Sequence, residues 1–582
     1  MLALLILLPL LLGIAAIALA KPGQAKHIAL AMSLVSLLLI PLGTGSGSFT
    51  WLSIGNLSID FVISTSPLNL MLLSLVAFMA PFVLYYSFGY MVLPSEQKRY
   101  YAEMLAFESA MLLFAISGSF VVLFIAWEFL SMTSYLLIGF WYNRERALHA
   151  ARKVISIILI GDFTLFASMV VFLNAYGTLS FSQIIAGMQQ QGASPAVMLA
   201  VLLLVIALFT KSAQFPFHEW LSDAMEGPTP VSAMLHSTTM VKAGVFAAIV
   251  LLPLIMAAHE NGLLLIIGLL TAFIAAFNAS REMHIKRVLA YSTIEELSLM
   301  FVALGANAVL AAIYFFIAQS FYKALLFFSS GSVMTATENE QLDKTSGLSS
   351  NRLLWLTTLF GVIALAGFVP FDGFFANIGL SSAFTGNILV YALISAISLI
   401  TSFYIFRWFF LCSKPAIEKR EEVLYSALPK SMVYSGAALA SMTLIASAFF
   451  FFIPSMFPDF AYGKPLFINP LDAAVELSVI SVGAFLAAKV YWKKSGMQNR
   501  IANFAQTTWL FNLFYFLVAE FFYILADGIL FMDLYLDSLF EYMGSGTESF
   551  AAYVRRIATG QINLYAAVFI IGMIVLLFAV VY

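Results

Sequence analysis

Charge is what this 582-residue chain has least of: Asp, Glu, Lys and Arg together make up 10% of it, against 62% hydrophobic residues. A soluble globule of that length needs far more polar surface, so lipid must be the solvent for most of the chain. The formal net charge of -2, with no Lys/Arg cluster interleaved with aromatics, excludes nucleic acid as a partner. Cysteine occurs once, at Cys412, and a lone cysteine forms no internal disulfide and builds no zinc or iron-sulfur cage. Gly-rich phosphate loops, nucleophile triads and metal-ligand spacings are also missing. Any redox chemistry is therefore expected in other subunits, with no cofactor and no metal held by this chain. The 56 phenylalanines and 25 methionines read as lipid-facing or core filling, not as a cofactor box.

What is present is a succession of apolar runs. A helix needs about 20 such residues to cross the hydrocarbon core, and about sixteen runs of that kind can be laid down, at 1–20, 27–46, 66–91, 104–118, 120–141, 153–176, 195–215, 229–256, 261–279, 284–304, 306–334, 352–370, 387–412, 432–455, 467–491 and 561–582. The fold class is an all-α polytopic membrane protein. The run 1–20 has the length of a signal peptide but no positive start, and is read as a retained first span.

The 28 basic residues test the count. With the N-terminus outside, every loop Lys and Arg except Lys464 falls on the inner side, as short cytoplasmic loops require, and both termini lie outside. Lys211, Lys242, Lys323 and Arg407 lie within spans. The stretch 505–543 is apolar enough to cross, yet crossing there would separate Arg500 from Arg555 and Arg556. Its acids Glu520, Asp527, Asp533, Asp537 and Glu541 fall within one arc of about 140°, so it is expected to be a long amphipathic helix lying along the protein or the membrane surface.

Two hydrophobic segments are interrupted. Pro216 follows Lys211, with Pro228 and Pro230 around the next span's start, and Pro370 breaks the run from Leu353 between Gly367 and Gly373. Interruptions at corresponding places in two halves point to transporter repeats with discontinuous helices, whose freed carbonyls and amides can line a polar pathway.

Ionisable groups inside spans cost about 2.5–3.5 kcal/mol each on insertion scales, so each needs a reason. They are Glu128, Asp162, Lys211, His236, Lys242, Lys323, Glu108, Glu295 and Glu296. A Glu/Lys pair whose separation changes is a proton-loading device, because a desolvated lysine holds its proton beside a carboxylate and releases it away from one. The lesser alternative for Glu128 with Lys211 is a static intramembrane ion pair. His236 and Lys242 are read as sharing one helix, about 120° apart around its axis. Glu295 and Glu296, adjacent, lie about 100° apart, so at most one faces a given channel. Arg407, close to Lys414, reads as snorkelling to the inner surface. Lys286 and Arg287 open their span at the inner end and read as interfacial, Lys286 being also a possible point of proton access. His218 and Glu219 read as solvated caps or as a proton entrance.

The run "KSAQFPFHEWLSDAMEGPTPVSAMLHSTTMVKAGVF" (Lys211 to Phe246), with "WEFLSMTSYLLIGFW", "IKRVLAYSTIEE" and "FYKALLFFSSGSV", resembles the antiporter-like subunits of complex I-type enzymes, shared with Mrp-type cation/proton antiporters and membrane-bound hydrogenases. The resemblance covers about residues 60–410. The tail, with its acidic-faced segment and "VRRIATGQINLYAAVFIIGM", looks like that of the distal L-type subunit of respiratory complex I or of its archaeal dehydrogenase relatives. The resemblance implies two inverted repeats, a lateral helix bracing the neighbouring antiporter-like subunits of a hetero-oligomeric complex, and proton translocation coupled to electron transfer elsewhere. The partner enzyme would be an NADH- or deazaflavin-dependent dehydrogenase reducing a quinone or phenazine. Carried over by position, Glu128 and Lys211 match the family's central pair and Asp162 an acid that modulates it. His236 matches a relay histidine, Lys286 the lysine of an access motif, and Lys323 the middle relay lysine.

The corresponding organisation is N-terminal spans at 1–103, repeats at 104–256 and 257–412, further spans at 413–500, the lateral helix at 501–555 and a last span at 556–582. Three departures stand out. Gln319 occupies a position where L-type chains have histidine, Asn377 and Ile378 stand where a Lys/Asp pair is usual, and Lys242 is more typical of sister subunits. The expected function is a proton-translocating membrane-arm subunit, with Lys242, His236 and Lys323 carrying protons on from Glu128/Lys211. The alternatives are an Mrp-type sodium/proton antiporter subunit and a non-pumping clamp.

Overall fold

The computed structural model describes residues 5–491, apart from 43–44, 55–56, 416–418 and 461–462, together with 534, 535, 537, 538 and 542. The chain divides into two units, 1–530 and 531–582. The described residues of the second are helical. The lateral helix expected over 505–543 otherwise lies outside the described residues, as does the last span, 561–582.

The first unit is a helical bundle. Its elements are α1 (Leu8–Leu19), α2 (Pro22–Leu39), a hairpin of β1 (Gly47–Ile54) and β2 (Leu57–Ile63), then α3 (Pro67–Tyr90), α4 (Pro94–Ala115), α5 (Phe120–Ile138), α6 (Glu145–Tyr176), α7 (Phe181–Gln191) and α8 (Pro195–Lys211). After them come α9 (Glu219–Asp223), α10 (Thr229–Ser237), α11 (Met240–Val250), α12 (Leu252–Ala257), α13 (Asn261–Arg281), α14 (Ile285–Gly305) and α15 (Val309–Thr337). The described part closes with α16 (Arg352–Ala366), α17 (Asp372–Ser382), α18 (Ile388–Cys412), α19 (Lys419–Ser426), α20 (Lys430–Phe449), α21 (Ile453–Met456) and α22 (Pro470–Tyr491). Among the described residues, 11 helices are long and apolar enough to cross a membrane, and α1, α8 and α16 are shorter apolar helices. The chain is a multi-pass membrane protein.

Several features depart from the expectations. The hairpin sits between the second and third spans, with Phe49 stacked on Phe61 at 5.1 Å and Thr50 donating to Asp60 at 2.9 Å. The expected run 229–256 is three helices, because backbone leaves helical geometry at Thr238 and Thr239 (Thr239 φ -121°, ψ -112°) and again at Leu251 (φ -99°, ψ 9°). His236 and Lys242 therefore lie on separate helices, α10 and α11, and the rotation expected between them does not apply. Arg407 does not snorkel. It is 3% exposed and donates to the carbonyls of Glu282 (2.9 Å) and Ala279 (3.5 Å), capping the C-terminal end of α13, where the helix dipole favours a cation.

Both expected interruptions are present. α8 stops at Lys211 and the chain runs irregularly to α9, with a cis Phe215–Pro216 bond; α16 stops at Ala366 and α17 begins at Asp372, with a cis Val369–Pro370 bond between them. A lysine thus ends one half-helix and an acid begins the other, each the charge that the local dipole stabilises. At the centre lies α15, buried along nearly its whole length although it carries Gln319, Ser320, Lys323, Ser329 and Ser330. A helix buried on every side with polar groups along it must satisfy them against neighbouring helices.

Candidate functional site

The first polar cluster joins α5, α6 and α8. On α5, Trp127 and Ser131 are one turn apart and face inward. On α6, Gly161 lets the helix close on α8, since a Cβ there would lie 2.8 Å from Thr210 Cβ. That approach brings Asp162 beside the last turn of α8. Lys211, 1% exposed, donates to the Trp127 carbonyl at 3.2 Å and to Ser131 Oγ at 2.7 Å, and lies 4.6 Å above the Trp127 ring. Asp162 accepts from Trp127 Nε1 at 2.6 Å, and its other oxygen is 3.4 Å from Ser131 Oγ. The Ser131 hydroxyl also lies 3.0 Å from the Trp127 carbonyl, so it has two alternative acceptors and links Lys211 to Asp162. Glu128 is half-buried and makes no ion pair with Lys211. It acts on Lys211 through space, as Asp162 does.

The second cluster joins α11, α14 and α15. Ser212, next to Lys211, donates to the carbonyl of Val241, next to Lys242, at 2.8 Å. Lys242 in turn donates to the Phe316 carbonyl at 2.6 Å and Ser320 Oγ at 2.5 Å, 4.6 Å above the Phe316 ring. One turn along α15, Lys323 pairs with Glu296 at 2.9 Å and donates to Ser292 Oγ at 2.6 Å. Gln319 and Tyr322 flank that carboxylate. Glu295 faces elsewhere, accepting from Tyr404 at 2.8 Å and from Thr401, both on α18. The two adjacent acids serve two different directions, as the rotation between them requires.

His236, wholly buried, lies against the Phe327 ring at 5.5 Å, and neither ring nitrogen has a protein hydrogen-bond partner. Lys286 and Lys323 are the charges that act on it. Lys286, 3% exposed, donates to the carbonyls of Met225 and Gly227, the latter at 2.9 Å. The loop it holds is also tied by Lys153–Asp223 (2.8 Å) and Arg287–Glu226 (3.4 Å). At the start of α14, His284 lies 3.2 Å from Glu340 and holds its carboxyl down to about 2. Glu108 stands apart on α4, accepting from Ser33 on α2 at 2.8 Å.

The residues brought together are thus Asp162 with Lys211, and Lys242 with Lys323. Sequence reasoning missed the serines, Ser131, Ser292 and Ser320, each of which accepts from one buried lysine. For Ser131 after Trp127 and Ser320 after Phe316 the signal was a serine one turn after an aromatic residue; Ser292 had no such signal. Sequence reasoning also left Glu296 unassigned, although a carboxylate inside a span needs a polar or charged partner, and here that partner is Lys323.

A bundle of this kind, with broken half-helices and buried lysines strung through its interior, defines the antiporter-like class of polytopic membrane proteins. Residues 117–403 match the family described as NADH:quinone oxidoreductase/Mrp antiporter, TM, and residues 51–101 the one described as NADH-Ubiquinone oxidoreductase (complex I), chain 5 N-terminus. The chain is 33% identical over 505 residues to NADH-quinone oxidoreductase subunit L of Buchnera aphidicola, covering 80% of this chain and 78% of that one. It is 32% identical over 495 residues to the Escherichia coli protein of the same name, covering 80% and 77%. With NAD(P)H-quinone oxidoreductase subunit 5 of Paulinella chromatophora it shares 35% over 380 residues, 62% of this chain but only 57% of that protein. The chain belongs to the NADH-quinone oxidoreductase subunit L family. The solved Mrp complex from Dietzia sp. DQ12-45-1b shares its fold, with a TM-score of 0.74 at 22% identity over 99% of this chain and 63% of that one.

Proposed function

We infer that this chain is the proton-translocating L-type membrane subunit of a complex I-type oxidoreductase. The observation that carries the reading is the buried line from Asp162, Ser131 and Lys211 through Lys242 and Ser320 to Lys323 and Glu296. Lys211 donates to Ser131, whose hydroxyl can turn to Asp162, so a proton can pass there without a bare charge crossing lipid; Lys242 and Lys323 donate to Ser320 and Ser292, whose hydroxyls face backbone carbonyls. Asp162 and Glu128 set whether Lys211 keeps its proton. His236, between Lys286 and Lys323, joins the inner edge to the central helix.

In this reading the redox groups belong to other subunits, the chain works inside a hetero-oligomeric complex, and its tail contacts neighbouring antiporter-like subunits. Both termini lie on the outer side, as the basic residues require. The shared fold with the Mrp complex supports a second reading, sodium/proton exchange without electron transfer.

The test uses membrane vesicles carrying the whole complex. Lys211→Ala and Glu128→Ala should leave assembly and electron transfer in place while lowering proton translocation per electron. Unchanged pumping in Lys211→Ala sinks the assignment. Exchange driven by a sodium gradient in the absence of electron donor favours the second reading instead.

A further inference from the structure

One acid-bearing helix has no part in the path above. The packed face of α22 consists of Asp472, Glu476, Ile480, Gly483 and Ala487, while Leu471, Val482 and Phe485 are exposed on its other sides. Two carboxyls one turn apart thus occupy the face that meets protein, Asp472 at 5% exposure and Glu476 at 1%. The helix sits hard against α18. A Cβ on Gly483 would press into the Leu399 carbonyl, and Ser402 of α18 donates to the Ile480 carbonyl at 2.6 Å.

The partners of these acids are neutral. Tyr391 of α18 donates to Asp472 Oδ1 at 3.3 Å, and the side chains of Ser398 on α18 and Asn377 on α17 face the Glu476 carboxyl. Asp472 Oδ2 and Glu476 Oε1 have no protein hydrogen-bond partner. Neither acid is ion-paired with a Lys, Arg or His among the described residues. A static ion pair would supply a cation; a carboxyl surrounded by hydroxyls and an amide instead suits taking up and giving up a proton.

Helix α18 runs from these acids to Glu295, the chain neighbour of Glu296 in the second cluster. Thr401 and Tyr404 hold Glu295, Ser398 lies one turn further and faces Glu476, and Tyr391 near the helix start holds Asp472. From Tyr404 to Tyr391 this stripe runs about 20 Å along the axis, about two thirds of the hydrocarbon thickness. It ends where α18 and α22 begin, beside the loop carrying Lys464, the one loop cation that the charge distribution puts outside.

We propose that Glu476 and Asp472 form the outward half of the proton path, supplying from α22 the acids that Asn377 and Ile378 do not supply from α17. A proton held by Glu295 passes by way of the α18 hydroxyls to Glu476 and on to Asp472. Each hydroxyl releases one proton as it accepts another, and the carboxylates regain their charge when the proton leaves. The proposal rests on the proton-pumping reading of the chain. Its structural competitor is Asp372, buried at the start of α17 with Oδ1 accepting from the Gly373 amide at 3.0 Å and Oδ2 unpartnered.

The experiment compares Glu476→Gln, Glu476→Asp, Asp372→Asn and Lys211→Ala in vesicles containing the assembled complex, reading protons moved per electron transferred. Glu476→Gln should lose as much pumping as Lys211→Ala, the double variant should lose no more than either, and Glu476→Asp should recover most of the loss. Asp372→Asn should pump as wild type does. If Lys211→Ala pumps less while Glu476→Gln pumps normally, the outward path is overturned and the proton-pumping reading stands. If neither variant changes pumping, the reading itself falls.

Should Glu476→Gln fail to assemble, the wild-type complex is treated with a hydrophobic carbodiimide until pumping stops, and its peptides are weighed. An adduct on Glu476 supports the proposal, and an unmodified Glu476 in the inhibited complex overturns it.

Discussion

Lys211 and Lys242 sit in the same cradle on different helices, and Lys323 does not. Each of the first two donates to the carbonyl of an aromatic residue and to the serine one turn later, and lies 4.6 Å above that aromatic ring. Lys323 instead meets a carboxylate, Glu296, at 2.9 Å. A cation held by a carbonyl, a hydroxyl and a π-face can lose its charge without breaking a direct ion pair. A cation held by a buried carboxylate cannot. The first arrangement suits a group that loads and discharges, and the second a group whose charge is balanced until its partner changes too.

That contrast breaks most visibly in stability. Lys323→Met leaves Glu296 buried without its cation and should cost about 3–5 kcal/mol, read as a fall in the unfolding midpoint in detergent. Adding Glu296→Gln should recover most of it. Lys211→Met leaves a carbonyl and a hydroxyl short of a partner and takes the cation away from Asp162, which keeps its hydrogen bond from Trp127 Nε1, and should cost about 1–3 kcal/mol. Equal losses for the two lysines would erase the distinction.

A subtler change sharpens the first cradle. Ser131→Ala removes the hydroxyl between Lys211 and Asp162 while leaving both charges in place, at a cost of about 1 kcal/mol. Pumping should nevertheless fall toward the level of Lys211→Ala. Normal pumping in Ser131→Ala would show that Lys211 and Asp162 act on each other through space alone.

The polytopic helical fold, both interruptions and the buried lysines were legible in the sequence because apolar length and the cost of charge in lipid write themselves into composition, although the count of about sixteen spans exceeds the 11 membrane-length helices among the described residues. What was not legible depended on which side chains meet. Ser131, Ser292 and Ser320 are common residues whose importance comes from the lysine opposite. The hairpin did have a signal, alternating apolar and polar residues around Gly55–Asn56, overshadowed by the spans on either side. The break between His236 and Lys242 carries no proline or glycine, so periodicity alone could not find it. Asp472 and Glu476 were visible as acids one turn apart in an apolar run, yet only the packing of α22 on α18 separates a buried pair from a solvated helix start.

The smallest expected effect lies where Glu340 meets His284 at the start of α14. Its carboxyl is held at about 2 against an ordinary 4.5, chiefly by the hydrogen bond from His284. An acid with a depressed folded value stabilises the fold above its unfolded value, and that contribution is lost as pH falls from 4.5 toward 2. The Glu340 side chain is 53% exposed, so solvent and salt screen the pair and the contribution is small beside the buried clusters. Wild type should therefore be slightly more stable than Glu340→Gln at about pH 6, with the difference gone by about pH 2 and reduced in high salt, as read from unfolding midpoints of the detergent-solubilised protein. A difference that persists at the acid end would mean that Glu340 contributes through packing instead of charge. The contrast between paired and neutral cradles would then belong to the buried clusters and not extend to the membrane edge.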